Sequence, residues 1–202
     1  MRRRTFDVLA SGVGLVVVAV LVVAGALMLW GNSYVDSNVH NQLAEQQVFF
    51  PPKAAFAHPV AGSEITASMI PSVSKYAGQQ LLTGAQAEVY ADDFIAVHLS
   101  EMPYGGVYSK ISTAARANPK SASLAALETT SFQGTTLRGL LLEAYGFSQM
   151  GAVLLWGAIA AFCLAFIMSL LVILGIRHAR RTPVEREILV ATVPSPRESV
   201  LV

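Results

Sequence analysis

The sequence predicts an all-α membrane protein in which two transmembrane helices flank an extracytoplasmic helical domain. Two uncharged apolar runs, residues 8–31 and 150–176, are each longer than the roughly 20 residues that a helix needs to cross a bilayer. Arginines lie at the outer end of each run. Between the runs, no segment alternates apolar and polar residues with hairpin signals, so we expect little β-strand.

The arginines predict the orientation of both helices. Arg2, Arg3 and Arg4 precede the first run, and Arg177, Arg180 and Arg181 follow the second. Basic residues favour the cytoplasmic side of a membrane. We therefore expect a cytoplasmic N-terminus at residues 1–7, an extracytoplasmic domain at residues 32–149 and a flexible cytoplasmic tail at residues 177–202. The expected location is the plasma membrane.

The first apolar run is interpreted as a retained anchor rather than a cleaved signal peptide. Ala24-Gly25-Ala26 loosely matches a cleavage site, but the run is far longer than the usual apolar core of about 7–15 residues. It also continues past that site to Trp30. Trp30 and Tyr34 are aromatic residues of the kind that anchor a helix at the membrane interface.

The helices of the extracytoplasmic domain are predicted from periodicity and breakers. Val35, Val39 and Leu43 recur every four residues, which indicates a narrow helical stripe covered by a second helix. We expect Phe49-Phe50-Pro51-Pro52 to end this helix. Residues 51–68 carry three prolines and should cross the domain in an irregular conformation. Further helices are predicted at 70–80, 83–102, 107–117 and 121–132, and from 135 or 136 directly into the second apolar run.

Two local signals support the middle of this arrangement. Thr83 and Gln86 form the pattern of a capping box, in which each side chain bonds the other's backbone N–H. The helix that follows is amphipathic, with one face formed by Ala87, Tyr90, Ala91, Phe94, Ile95, His98 and Met102. Gly105-Gly106 is interpreted as a turn, and Gly134 as the end of the helix at 121–132.

The charge distribution argues against nucleic-acid binding. The 202-residue chain is 53 % apolar and 13 % charged, with a formal net charge of +1. Residues 32–149 carry six bases and nine acids, so they are net acidic. No basic stripe of the kind that binds a phosphate backbone is present in the sequence.

The sequence predicts no catalytic, cofactor-binding or metal-ligating residues, and no cofactor. His98 and Glu101, with Asp92 and Asp93 nearby, are groups that could bind a metal or transfer protons. His98, however, lies at the centre of the apolar helix face, so we expect a buried histidine hydrogen-bonded to a neighbour. His58 is isolated, and no ligand spacing joins it to His98.

The apolar runs suggest helix packing rather than transport. Neither contains an ionisable residue of the kind that marks an ion pathway. Gly157, Ala161 and Ala165 form a ridge of small residues on which another helix could lie closely. That helix could be an integral-membrane partner protein, or the first run of this chain through Ala10 and Gly14. Cys163 is interpreted as a small packed apolar residue.

Several segments resemble a family of two-span actinobacterial membrane proteins without an assigned function. They are Val39–Leu43 with Phe49–Pro52, Phe56–Pro59, Tyr104–Lys110 and Phe132–Leu141. The resemblance covers roughly residues 1–180 and implies an actinobacterial cell-envelope location. Some members carry the label of aromatic ring-opening dioxygenase. The iron of such enzymes needs a cluster of histidines and a carboxylate, which this sequence does not provide.

These observations favour a non-enzymatic plasma-membrane protein, an accessory or scaffolding subunit of an envelope membrane complex. The alternative is an extracytoplasmic binding or sensing module for a lipid or small apolar ligand. The expected partners are the lipid bilayer and an integral-membrane protein on the Gly157/Ala161/Ala165 ridge, with no nucleic acid. An enzyme is the least favoured class.

Overall fold

A computed structural model describes residues 3–57, 59 and 65–181 of the chain, and these residues confirm the all-α fold class. They form helices and turns, with no strand beyond one isolated antiparallel bridge between Phe49 and Gln80. The α-helices are α1 Arg3–Glu45, α2 Ile70–Val73, α3 Gly84–Val89, α4 Ala96–Glu101, α5 Tyr108–Ala117 and α6 Ala122–Arg181. Short 3-10 helices lie at Lys53–Phe56, Ser74–Tyr76 and Pro103–Gly106.

The described chain divides into two compact units. One unit, called here the span pair, comprises α1 up to Met28 and α6 from Trp156 onwards. The other, called the central unit, runs from Leu29 to Leu155.

The span pair is an antiparallel pair of helices with small residues at their contact. Val172 lies against Gly14, the ring of Phe162 covers Gly25, and the sulfur of Met28 lies against Gly157. Without a side chain on these glycines, the two backbones can approach closely, as in other membrane helix pairs.

Both long helices are long and apolar enough to cross a membrane. Only 11 % of the most apolar window of α1 and 17 % of that of α6 is buried within the chain. The core helix of a soluble protein would be mostly buried, because exposed apolar surface is costly in water. The exposed apolar faces therefore fit a lipid environment, which agrees with the predicted membrane location.

The core of the central unit confirms the predicted stripe on α1. Val39 and Leu43 are buried together with residues of the loop and the shorter helices. Leu141 of α6 belongs to the same core, as do Phe50, Ile65, Met69, Val73, Leu81, Ala87, Val89, Ala91 and Ile95. The helix ends at Glu45, earlier than the predicted end at Phe49–Pro52, and Gln47 then turns the chain with a positive φ of 52°.

The predicted helix at 70–80 was wrong over its last four residues. It stops at Tyr76, and Gly78 has a φ of 73° that takes the chain out of the helical conformation. The following residues lie extended beside residues 48–51. Phe50 N–H donates to the Gln79 carbonyl over 2.9 Å, and Leu81 N–H donates to the Val48 carbonyl over 2.9 Å. Backbone pairing with a distant segment outweighed the local helical pattern.

The predicted break at Gly134 was also wrong. α6 is continuous from Ala122, and the Ser121 hydroxyl caps its start by accepting from the Leu124 N–H at 3.3 Å. A glycine inside a helix costs only about 1 kcal/mol relative to alanine. Leu99 packs directly on Gly134, so tertiary contact accounts for this glycine.

The helical segment at 83–102 was predicted correctly, but its middle is wider than an α-helix. The capping box of Thr83 and Gln86 is present, and the helix continues through a π-helical segment, Tyr90–Ile95, to Glu101. The predicted helix at 107–117 is confirmed as α5.

Candidate functional site

The most unusual backbone of the central unit lies in the turn between α4 and α5. Tyr104 has a φ of 60°, and Gly105 and Gly106 both have a φ of 65°. Left-handed backbone is uncommon for a residue with a side chain, and such strain concentrates at functional sites. A strained tyrosine is therefore held here by the surrounding structure.

Two contacts hold this turn. The hydroxyl of Ser131, which is 0 % exposed, donates to the Gly106 carbonyl over 2.7 Å. A Cβ on Gly106 would overlap the backbone of Leu99, so only glycine fits at this position. α6 and the end of α4 thus fix the turn from both sides.

The turn and its surroundings expose a group of apolar side chains, called here the aromatic patch. Its members are Tyr104, Val107, Tyr108 and Phe132, with exposed fractions of 50 %, 42 %, 40 % and 55 %. The rings of Tyr108 and Phe132 have centroids 5.6 Å apart. Tyrosine and phenylalanine are enriched at protein interfaces, where their large rings bury area at little entropic cost.

The patch also differs in charge from the rest of the central unit. Residues 102–127 contain Lys110, Arg116 and Lys120 and no acid, whereas residues 32–149 as a whole are net acidic. All three basic side chains are exposed. The segment that contributes Tyr104, Val107 and Tyr108 is therefore basic as well as rich in exposed apolar side chains, which suits a partner with an apolar, acidic surface.

A groove lies elsewhere in the central unit, between α1 and α6. Its volume is about 470 Å³, which is within the range of small-molecule sites. Its walls are mostly apolar, with amides along α1 and one carboxylate on α6. The lining residues are Tyr34, Val35, Asn38, Val39, Gln42, Leu43, Gln46, Leu140, Glu143, Ala144 and Phe147. No basic side chain lines it, so a neutral or cationic ligand would fit best.

One titratable pair joins α3 to α6. Hydrogen bonding to the Glu88 carboxylate raises the pKa of the Tyr145 hydroxyl above its ordinary value, and the charge of Glu88 and partial burial act in the same direction. The neutral phenol is therefore favoured. The pair couples two helices and lies outside the groove lining.

The residues considered for metal binding or catalysis do not form a cluster. His98 is half-buried, and its Nδ1 lies 2.8 Å from the Phe94 carbonyl oxygen, which agrees with the predicted hydrogen-bonded histidine. Asp92 instead pairs with Arg138 of α6 at 2.6 Å. Among residues 3–57, 59 and 65–181, no three histidine, cysteine or acidic side chains converge on a point that could hold a metal. His58 lies outside the described residues.

The ridge of small residues on α6 faces inward within the span pair. Met28 lies on Gly157, and Ala161 and Ala165 are 8 % and 4 % exposed. The ridge therefore lies against the chain's own first helix, but the predicted contact with Ala10 and Gly14 was wrong, because Gly14 lies against Val172 and Met168 instead. Cys163 is exposed rather than packed, so it lies on the outer surface of this pair.

Sequence reasoning missed the aromatic patch. The sequence predicts only a turn at Gly105 and Gly106 and an ordinary helix around Phe132. The available signal was a run free of acids that combines tyrosines with a glycine pair.

Comparison with protein-family models, with curated proteins and with solved structures finds no match to this chain.

Proposed function

We propose that this chain is a non-enzymatic plasma-membrane protein that serves as an accessory or scaffolding subunit of an envelope membrane complex. In this proposal both termini are cytoplasmic and residues 32–149 are extracytoplasmic. A partner protein with an apolar and acidic surface binds the aromatic patch.

The observation that carries the proposal is the exposure of three aromatic rings, one on the turn and two on the helices α5 and α6 beside it, where the turn is fixed before any partner binds. Tyr104, Tyr108 and Phe132 are each at least 40 % exposed. Ser131 and Leu99 already order the backbone between them. A preorganised surface loses less conformational entropy on binding. Lys110 and Arg116 lie on the same helix as Tyr108 and give this segment a positive charge.

The proposal is tested by purifying the tagged protein in mild detergent and identifying stoichiometric companions by mass spectrometry. In the double variant Tyr108→Ala/Phe132→Ala, the amount of a specific co-purified protein should fall at least about tenfold, since aromatic hot-spot residues often contribute more than 1.4 kcal/mol to binding. Phe49→Ala is the matched control, because Phe49 is 55 % exposed but lies outside the patch. If both variants retain the companion equally, the patch is not the docking surface.

The groove between α1 and α6 supports a second candidate, a binding or sensing module for a lipid or small apolar ligand. Gln42 is exposed on the groove wall, so Gln42→Trp would fill the groove without entering the core. Mass spectrometry of the purified protein should then show an apolar compound with the unmodified chain and not with this variant. Equal recovery from both would exclude the groove as its site.

A further inference from the structure

A second cleft, independent of the aromatic patch, lies in the span pair where α1 begins and α6 ends. It has a volume of about 360 Å³. Its walls are apolar except for the Ser11 hydroxyl and the Arg180 guanidinium. The lining residues are Val8, Ser11, Gly12, Leu15, Ile176, Ala179 and Arg180. One cleft therefore combines an aliphatic wall with a single permanent positive charge.

Arg180 has no acidic partner in the described part of the chain. Among the described residues, Arg138 pairs with Asp92, and His178 Nε2 lies 3.9 Å from Asp7 Oδ2. Successive helical residues point about 100° apart, so Ile176 and Arg180 lie about 200° from His178 on α6. The Asp7 Oδ2 atom is buried, accepts no hydrogen bond from a described residue and lies 3.9 Å from His178 Nε2, and no carboxylate is among the residues that line the cleft.

We infer that this cleft binds an anionic phospholipid, with its phosphate on Arg180 and an acyl chain along Leu15 and Ile176. A guanidinium can donate two parallel hydrogen bonds to a phosphate, and the Ser11 hydroxyl can donate a further one. Basic pockets between membrane helices bind lipid headgroups in this way. The apolar wall distinguishes a lipid from a soluble anion, which would leave Val8, Leu15 and Ile176 uncovered.

The test places the full-length protein in nanodiscs that contain phosphatidylglycerol and phosphatidylcholine in equal amounts, and counts retained lipids by native mass spectrometry. We expect retained phosphatidylglycerol to exceed phosphatidylcholine about tenfold, as a charge-assisted bidentate contact allows. Arg180→Gln should abolish this preference, and Arg180→Lys should keep part of it. Arg181→Gln is the matched control, because Arg181 is exposed and does not line the cleft.

Three outcomes would overturn the inference. Arg180→Gln could retain phosphatidylglycerol as well as the unmodified protein does. Inorganic phosphate at millimolar concentration could displace the lipid, which would indicate a simple anion site. Alternatively, the double variant Glu185→Gln/Glu187→Gln could bind phosphatidylglycerol while the unmodified chain does not, which would make these two carboxylates of the C-terminal tail the partners of Arg180. Elution of each variant from a sizing column would verify that it is folded.

Discussion

At the residue scale, the hydroxyl of Ser131 has the clearest energetic role. It is fully buried in α6, and it donates its hydrogen to the Gly106 carbonyl in the turn that carries the aromatic patch. A buried carbonyl that loses its donor keeps the desolvation cost without the compensating bond. One atom of α6 therefore stabilises a backbone conformation that Tyr104 would otherwise disfavour.

Ser131→Ala should lower the free energy of unfolding by about 1–3 kcal/mol. Thr130→Ala is the matched control, because the exposed Thr130 hydroxyl bonds only to Ala126 within its own helix. Urea unfolding in detergent, followed by near-ultraviolet circular dichroism, measures the free energy of unfolding of both variants. Equal stability of the two variants would contradict the role assigned to Ser131.

The Tyr145 hydroxyl should ionise at a higher pH than an ordinary tyrosine, because the Glu88 carboxylate raises its pKa. The folded state then holds the phenolic proton more tightly than the unfolded state. The resulting stabilisation is present below the pKa of the unfolded chain, near 10, and is lost as pH rises through the folded pKa.

Absorbance at the tyrosinate band, recorded as the difference between the unmodified protein and Tyr145→Phe, isolates this group. Glu88→Gln should move the midpoint down towards the ordinary value, whereas Glu101→Gln, an exposed carboxylate outside the pair, should leave it unchanged. If the titration midpoint of Tyr145 is unchanged in Glu88→Gln, another group raises its pKa.

At the element scale, a chain of five aromatic rings joins the loop after α1 to the helices that follow. Phe50 stands between Tyr76 and Tyr90, with ring centroids 5.1 Å and 5.2 Å away. Tyr90, Phe94 and His98 continue the chain at 4.8 Å and 4.6 Å. Because rings four residues apart lie on one side of a helix, the segment 90–98 presents them in a row.

Phe50→Ala should cost about 3–5 kcal/mol of stability, as expected for a phenylalanine removed from a core. The adjacent Phe49 offers an internal comparison, since it is 55 % exposed and Phe50 is 2 % exposed. Thermal unfolding should show a large decrease in Tm for Phe50→Ala and a small one for Phe49→Ala. Similar decreases would mean that the ring chain does not stabilise the unit.

The helices that were predictable from sequence had strong local signals, and those that were not depended on distant contacts. The capping box at Thr83 joins residues only three positions apart, and each apolar run is a continuous segment of the sequence. The early end of the helix at Tyr76 depends instead on Phe50 and Val48, and the continuity through Gly134 depends on Leu99. Sequence separation hides such partners from a reading of one segment at a time.

At the scale of the whole molecule, the proposed topology can be tested by labelling single cysteines in a Cys163→Ser background. Ser123→Cys lies at an exposed position at the start of α6, and Thr5→Cys at an exposed position at the start of α1. A membrane-impermeant maleimide should label Ser123→Cys in intact cells. Thr5→Cys should react only after the membrane is permeabilised, because basic N-terminal flanks remain cytoplasmic. The reverse pattern would invert the topology.

The candidate surfaces were less predictable than the fold. A ridge of small residues is visible in the sequence, but whether it faces α1 or a foreign helix depends on how the two spans pack. The aromatic patch likewise requires Phe132 and Tyr108, which are distant in sequence, to lie side by side. Exposure of a large ring is a property of the folded surface, so periodicity alone does not reveal it.

The exposed thiol of Cys163 has a practical consequence. It is the only cysteine of the chain, and it lies on the outer surface of an apolar helix. A nitroxide attached there would need no engineered site. Its relaxation by dissolved oxygen, compared with that by a water-soluble nickel chelate, would report how deep this turn of α6 lies in hydrocarbon. Cys163 is thus a native labelling site for measuring the depth of α6 in the bilayer.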